Sequence, residues 1–232
     1  MSDKKSTSVS ESIKARLKSS GTRFWANDNI SNFIQDGERD ALIDELSTKF
    51  EGVLDSLIID RETDPNSMGT ARRLAKMYVR EIMSGRYDPA PDVTAFPNVG
   101  RDSYHGMLVI RAELKSMCSH HHQPVSGTAY IGVIPGDKVI GLSKYIRIAQ
   151  WAAQRGTLQE ELASEIAREI AKATESDDVA VYIQARHGCC ENRGVRASSS
   201  LTQTTVLRGL FNTSHAKSEF FDNIKIQERN VN

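Results

Sequence analysis

The sequence lacks any long run of apolar residues and contains little cysteine. It has 232 residues with no stretch of about 18 consecutive apolar side chains, so no membrane-spanning helix is predicted. The N-terminal segment is rich in serine and lysine and has no apolar core, which argues against a secretory signal. Three cysteines, with Cys189 and Cys190 adjacent, do not suffice for a disulfide framework. These features predict a protein of the reducing cytoplasm.

The sequence also lacks an excess of charge of either sign. Its 30 Lys and Arg residues balance 30 Asp and Glu residues. A protein that binds nucleic acid without sequence preference needs a basic excess, so no nucleic-acid partner is predicted. A local basic pocket is still compatible with a net charge of zero.

The distribution of apolar residues divides the chain into three regions. Residues 1–35 are mostly polar, which is typical of a flexible arm, and a short helix is predicted within them from Val9 to Leu17. Residues 36–105 are predicted to form an N-terminal helical region. Residues 106–232 are predicted to form an α+β region that carries the catalytic groups.

Two helices are predicted in the helical region. Leu42, Leu46 and Phe50 begin an apolar stripe at helical spacing. The second helix is predicted over residues 70–84, and Gly85 stands where a C-terminal cap is expected.

A proline-containing connection over residues 86–104 leads into a series of predicted strands. These strands lie at residues 107–114, 128–134, 138–143, 178–187 and near 200–211. Pro135, Gly136 and Asp137 are turn residues, and they predict a hairpin between the second and third strands. Further helices are predicted at residues 144–154, 157–173 and near 214–226. This order indicates an α+β fold with an antiparallel sheet and flanking helices.

A short cluster of sulfur and nitrogen donors follows the first predicted strand. Cys118 and His121 are three positions apart, a spacing at which a thiolate and an imidazole can reach one metal ion. A catalytic zinc site uses three protein ligands and keeps a fourth position for water. Cys189 follows another predicted strand, and two strand ends at one sheet edge could supply the third ligand. The pattern also fits a histidine-rich surface turn with buried thiols, because free cysteine packs as a small apolar residue.

Basic residues cluster where a predicted strand gives way to a helix. Ser143, Lys144 and Arg147 open this helix, and the free N–H groups of a helix N-terminus attract phosphate. Other candidate cations for such an anion are Arg73, Lys76 and Arg193. The alternative is that these side chains are solvated residues on amphipathic helices.

Glu160 has two interpretations. Thr157 and Glu160 fit the capping box, in which two side chains bond free N–H groups at a helix start. The carboxylate could instead face a pocket and accept two N–H bonds from a guanine edge. Periodicity does not separate these roles.

Several motifs in sequence order resemble those of the GTP cyclohydrolase I family and together cover roughly residues 65–222. They are TARRLAKMYVREIMSG, CSHH, VIGLSKYIRIAQWAAQRGTLQEEL and VAVYIQARHGCCENRGVRASSSLTQTTVLRGLF. Members of this family are zinc enzymes that convert GTP to 7,8-dihydroneopterin triphosphate and formate. The resemblance therefore implies a hydrolase with GTP as substrate and Zn²⁺ as cofactor.

The resemblance also implies a role for each candidate residue. The implied zinc ligands are Cys118, His121 and Cys189. The implied catalytic groups are His120, His187 and Ser143. Of these, His187 would protonate N7 of guanine, and His120 would move protons during ring opening and formate loss. The implied substrate-binding residues are Arg73, Lys76, Ser143, Lys144, Arg147, Gln159, Glu160 and Arg193.

The resemblance further implies the architecture of an assembly. The family has the tunnelling fold, in which the sheets of several subunits join into a barrel. The subunits form a ring-shaped homo-oligomer, a decamer, and its sites lie between subunits. This arrangement would bring together phosphate-binding residues that are distant in the sequence.

Three positions depart from the family's pattern. Ser119 stands where the family usually has glutamate, and His122 and Cys190 add an imidazole and a thiol. His122 could replace His121 as a ligand, whereas Cys190 is assigned a packing role. One alternative function is therefore an enzyme of the same fold that acts on a related purine or pterin. Another is a noncatalytic zinc protein that binds a nucleotide.

Overall fold

The structure is a computed structural model that describes residues 7–101 and 103–229. The chain divides into two compact units, Met1–Pro89 and Ala90–Asn232. The boundary between them falls inside the region 36–105 that the sequence predicts as helical. No helix within the described ranges is both long and apolar enough to cross a membrane.

The unit Met1–Pro89 is built from helices. Its helices are α1 (Val9–Ser19), α2 (Glu38–Ser56), α3 (Thr70–Met77) and α4 (Ser84–Tyr87), with a 3-10 helix at Ser31–Phe33 and a π-helical turn at Tyr78–Ile82. The short helix predicted from Val9 is confirmed as α1. It is packed, because Ile13 and Leu17 are buried in one cluster with Leu42 of α2. The start of the predicted flexible arm, residues 1–6, lies outside the described residues.

The second predicted helix does not end at Gly85. Helical structure continues through the π-helical turn into α4, and Gly85 is buried inside α4. The backbone carbonyl of Gly85 accepts a hydrogen bond from Nδ2 of Asn29 at 2.9 Å. The prediction of a C-terminal cap was therefore wrong.

The unit Ala90–Asn232 contains the strands and the remaining helices. The strands are β1 (Ala95–Pro97), β2 (Leu108–Cys118), β3 (Pro124–Val133), β4 (Lys138–Ile140), β5 (Gly156–Thr157), β6 (Val179–His187) and β7 (Thr202–Leu207). The helices are α5 (Leu142–Ala153), α6 (Gln159–Thr174), α7 (Gly188–Glu191) and α8 (Ser214–Arg229), with a 3-10 helix at Gly209–Asn212. This confirms the α+β class.

The main sheet has five strands in the order β5-β2-β3-β6-β7. All neighbours are antiparallel except β5 and β2, so the sheet is mixed. Alternation along β3 separates two cores, as expected for a strand covered on both faces. Ala129 and Ile131 are buried with residues of α5 and α6, whereas Tyr130 is buried with Phe220 of α8.

The predicted hairpin between the second and third strands was wrong. β4 pairs with β1, which lies inside the predicted connection 86–104, and the two form a separate two-stranded sheet. Asn98 accounts for the difference. Its backbone N–H donates to the Asp137 carbonyl at 2.8 Å, and its side-chain Nδ2 donates to the Gly136 carbonyl at 2.7 Å. The turn residues are therefore tied to the chain that follows β1.

Gly132 in β3 is expected to be sensitive to any side chain. A Cβ atom there would lie 2.7 Å from Cδ2 of Phe220 and 3.0 Å from Cε1 of Phe211. We expect Gly132→Ala to lower the free energy of unfolding by about 1–3 kcal/mol, because overpacking displaces buried rings. Chemical denaturation measures this loss. Gly136→Ala is the matched control, since its nearest atom would be the Glu175 carbonyl oxygen at 3.8 Å. Equal stability of the two variants would contradict the packing described.

Candidate metal centre

The candidate site lies at one edge of the main sheet, where two strands end. β2 and β6 both run antiparallel to β3, which lies between them, so they run parallel to each other and end at the same edge. β2 ends at Cys118 and β6 at His187, and Cys189 follows in α7. Because Gly188 has no side chain, the start of α7 can lie close to Pro124 at the start of β3. A Cβ atom at position 188 would lie 3.1 Å from the Pro124 carbonyl oxygen.

The turn that follows β2 presents the histidine cluster. The Cys118 N–H donates to the Gln123 carbonyl at 3.0 Å, and the His122 N–H donates to the Cys118 carbonyl at 2.9 Å. His122 takes the left-handed conformation with φ of 50°, which closes the turn. The rings of His120 and His121 stand perpendicular, with centroids 6.3 Å apart.

Three of the candidate residues converge at this edge. The ligand atoms of Cys118, His121 and Cys189 all lie within 4.8 Å of one another. Cys118 is buried, Cys189 is half-buried and His121 is exposed, so the group opens to solvent on the imidazole side. His122 and Cys190 are not members of this group of mutually close ligand atoms.

The chemistry of the donors fits a metal ion. Burial, followed by the neighbouring Cys118 and Cys190 thiols, raises the pKa of Cys189 to about 11. A bound cation reverses this effect, because it stabilises the thiolate that burial disfavours. Two sulfurs and one imidazole nitrogen suit a thiophilic divalent ion such as zinc and leave a fourth position for a small molecule. The group could therefore hold a metal ion.

His187 is held beside this group by Gln159. Its Nε2 lies 2.7 Å from Oε1 of Gln159, the first residue of α6. Burial lowers the pKa of His187, and the negative charges of Glu160 and Glu191 oppose that effect. The sequence carries no signal for the contacts that hold Gln159, because one partner, Thr204 of β7, is 45 residues away.

Glu160 does not cap α6. The N-cap residue is Leu158, and no side chain caps this helix start. Thr157 belongs to β5, where it pairs with Cys118, and its hydroxyl donates to the Leu158 carbonyl at 3.0 Å. The capping box was therefore the wrong interpretation, because strand pairing holds its first residue outside the helix. Glu160 is exposed in the first turn of α6, and its charge acts on His187.

Comparison with known proteins decides the family. The model of the GTP cyclohydrolase I family matches residues 47–225. The chain belongs to the GTP cyclohydrolase I family. It is 38% identical over 187 residues to GTP cyclohydrolase 1 of Flavobacterium johnsoniae, covering 79% of this chain and 82% of the relative. It is 42% identical over 166 residues to GTP cyclohydrolase 1 of Shewanella denitrificans, and the match covers 70% of this chain and 76% of the relative.

A third GTP cyclohydrolase 1, from Vibrio cholerae, is 40% identical over 166 residues, covering 70% of this chain and 76% of the relative. The resemblance seen in the sequence motifs is confirmed, and the chain is a GTP cyclohydrolase I-like hydrolase. The matched range contains every candidate site residue.

The predicted phosphate-binding residues of this chain lie in different elements. Ser143 and Arg147 are exposed one turn apart on α5, which has no side-chain cap at its N-terminus. Lys144 donates its Nζ to the Asp92 carbonyl at 2.6 Å. Arg193 is exposed in the loop after α7. Their phosphate-binding role stays a prediction.

Arg73 and Lys76 belong to the other unit, Met1–Pro89. Both are exposed on α3. Nη2 of Arg73 donates to the Asn66 carbonyl and to the Thr70 hydroxyl, each at 2.8 Å. These bonds hold the guanidinium over the start of its own helix. Contact with a substrate phosphate stays a prediction for both residues.

Proposed function

We propose that this protein is a zinc-dependent enzyme that converts GTP to 7,8-dihydroneopterin triphosphate and releases formate. The observation that supports the proposal most is the group of Cys118, His121 and Cys189 beside His187 in a member of this family. The cytoplasm keeps cysteine thiols reduced and free to bind a metal ion, so we place the reaction there. Its product would enter folate, other pterin or 7-deazaguanine biosynthesis.

The residues around the metal group would divide the proton chemistry. Bound zinc would lower the pKa of a coordinated water toward about 7 and so supply the nucleophile at neutral pH. His187 would give a proton to N7 of guanine, which makes C8 more electrophilic. His120, exposed beside His121, would move protons during ring opening and formate loss. Ser143 would assist the later ribose steps.

Charge complementarity would hold the nucleotide. GTP carries about four negative charges, and Arg and Lys side chains bind phosphate through charge-assisted hydrogen bonds. The residues proposed for the triphosphate and ribose are Arg73, Lys76, Ser143, Lys144, Arg147 and Arg193. Glu160 would accept N–H bonds from guanine, a role supported by its exposure and by its influence on His187. The resemblance also implies that the neighbouring Gln159 binds substrate.

We also propose that the subunits form a ring-shaped homo-oligomer, a decamer, in which sites between subunits draw on residues that are distant in the sequence. The last strand of the main sheet is β7, which pairs with β6 on one side, so its other side is an edge at which subunits could join. Unpaired strand edges are stabilised when a neighbouring subunit continues the sheet. Barrel formation from subunit sheets would use this edge.

One assay tests the proposed activity. The zinc-loaded full chain is incubated with GTP, and formate and pterin fluorescence are followed together. We expect equimolar formate and pterin, no product from ATP, and loss of turnover on chelation that zinc restores. Tight GTP binding without either product would support the noncatalytic nucleotide-binding protein. Turnover of a related purine or pterin in place of GTP would support the alternative suggested by Ser119 and His122.

A further inference from the structure

The hydrogen bonds of Gln159 fix the orientation of its side-chain amide. Nε2 lies 3.2 Å from the Ile183 carbonyl oxygen, 3.1 Å from the Thr202 carbonyl oxygen and 3.2 Å from Oγ1 of Thr204. Two of these partners are carbonyl oxygens, which can only accept. The NH₂ end of the amide must therefore face them, and the carbonyl end, Oε1, must face His187.

This orientation determines the proton on His187. Oε1 of an amide can only accept a hydrogen bond, and it lies 2.7 Å from Nε2 of His187. Nε2 therefore carries a hydrogen whether the ring is neutral or cationic. In the neutral ring, Nδ1 is then the nitrogen without a hydrogen.

We propose that Gln159 is a positioning residue that holds His187 in the Nε2–H form, so that Nδ1 is the atom that exchanges a proton with the substrate purine. This inference rests on the proposed function. In the forward step the Nδ1–H bond breaks and an N7–H bond forms. The imidazolium then becomes a neutral ring that still donates from Nε2 to Gln159. Return of a proton to Nδ1 restores the cationic ring.

The burial of Gln159 favours this role over direct contact with the base. Its side chain is 4% exposed, whereas the neighbouring Glu160 is exposed. Its two amide hydrogens already face three acceptors, and its oxygen already faces His187. A purine would have to displace one of these bonds to reach the amide.

Steady-state kinetics with GTP test the positioning role. We expect Gln159→Leu to lower kcat about 10- to 100-fold while KM for GTP changes less than about threefold, because only the orientation of His187 is lost. Gln159→Glu keeps an acceptor opposite Nε2 but removes the NH₂ donors to the Ile183 and Thr202 carbonyls, so a partial recovery of the lost kcat is expected. Gln227→Leu is the matched control, because this part-buried amide on α8 donates to the Val109 carbonyl at 3.0 Å away from the metal group, and its kcat should be unchanged. Zinc content and melting temperature are measured for every variant.

A spectroscopic measurement does not depend on turnover. ¹⁵N NMR of the zinc-loaded chain labelled on histidine, with His187 assigned by signal loss in His187→Ala, reports which ring nitrogen carries hydrogen. We expect hydrogen on Nε2 of the neutral ring, and a mixture of both forms in Gln159→Leu.

Two results would overturn the proposal. One is a neutral His187 with its hydrogen on Nδ1. The other is a zinc-loaded Gln159→Leu variant that retains kcat within about twofold of the unaltered chain. If Gln159→Leu loses zinc, the NMR result on the unaltered chain decides. Absence of formate from the unaltered chain would instead reject the proposed function, and the NMR measurement would still assign the hydrogen.

Discussion

Cys189→Ser is expected to abolish both zinc binding and formate release, whereas Cys190→Ser is expected to leave both intact. The two thiols are adjacent in α7, but only Cys189 belongs to the group whose ligand atoms lie within 4.8 Å of one another. A serine hydroxyl is a poor ligand for zinc beside a thiolate and an imidazole. Loss of a residue that only hydrogen-bonds to a metal ligand typically costs about 10- to 100-fold in metal affinity or activity. Loss of the ligand itself should cost more, so we expect kcat/KM to fall by more than about 100-fold.

Elemental analysis after dialysis, together with the formate assay, measures this prediction. The Cys190→Ser variant controls for the general effect of replacing a half-buried thiol in the same helix, since both cysteines are half-buried. Zinc retained by Cys189→Ser and lost from Cys190→Ser would reverse the ligand assignment. Zinc retained by both variants would place the metal elsewhere.

Glu160→Gln is expected to weaken the preference for guanine far more than it weakens the fold. The capping role is absent, because the N-cap is Leu158 and no side-chain cap is formed. The exposed carboxylate is therefore available to accept two N–H bonds from guanine. The amide that replaces the carboxylate has no negative charge, and its NH₂ group would face one of the N–H donors of guanine, which cannot accept a hydrogen bond from it. We expect kcat/KM for GTP to fall by about 100- to 1000-fold, as for two charge-assisted bonds.

Inosine triphosphate, which lacks the exocyclic amine of guanine, provides the comparison. The unaltered chain should prefer GTP strongly, and Glu160→Gln should reduce that preference. Glu161→Gln is the matched control, because Glu161 is also exposed and lies in the same first turn of α6. A lower melting temperature with unchanged GTP affinity in Glu160→Gln would refute the proposed base-binding role.

The sequence by itself determined the class of the fold and the candidate metal residues. Long periodic segments predicted α2, α5, α6 and β6 correctly, because burial of one face imposes a regular spacing on apolar residues. Two strand ends followed by cysteine predicted that Cys118 and Cys189 could meet. The strand order that brings both ends to one edge, with β3 between β2 and β6, was decided by the structure.

Only the tertiary structure decided how short polar motifs are used. Thr157 and Glu160 match a capping box, yet pairing of Thr157 with Cys118 removes it from the helix. The turn after β3 has the residues of a hairpin, yet Asn98 donates hydrogen bonds to the carbonyls of this turn, and β4 pairs with β1 and not with β3.

Gln159 illustrates the same limit at the site. The resemblance implied that it binds substrate, whereas the acceptors of its side-chain amide come from β6 and β7. A polar side chain can form a hydrogen bond within its own sequence motif or with a residue far away in the sequence. Because the two bonds are of similar strength, the distant partner can replace the local one. The spacing of apolar residues is set along the chain, but the choice among polar partners depends on which strands lie alongside.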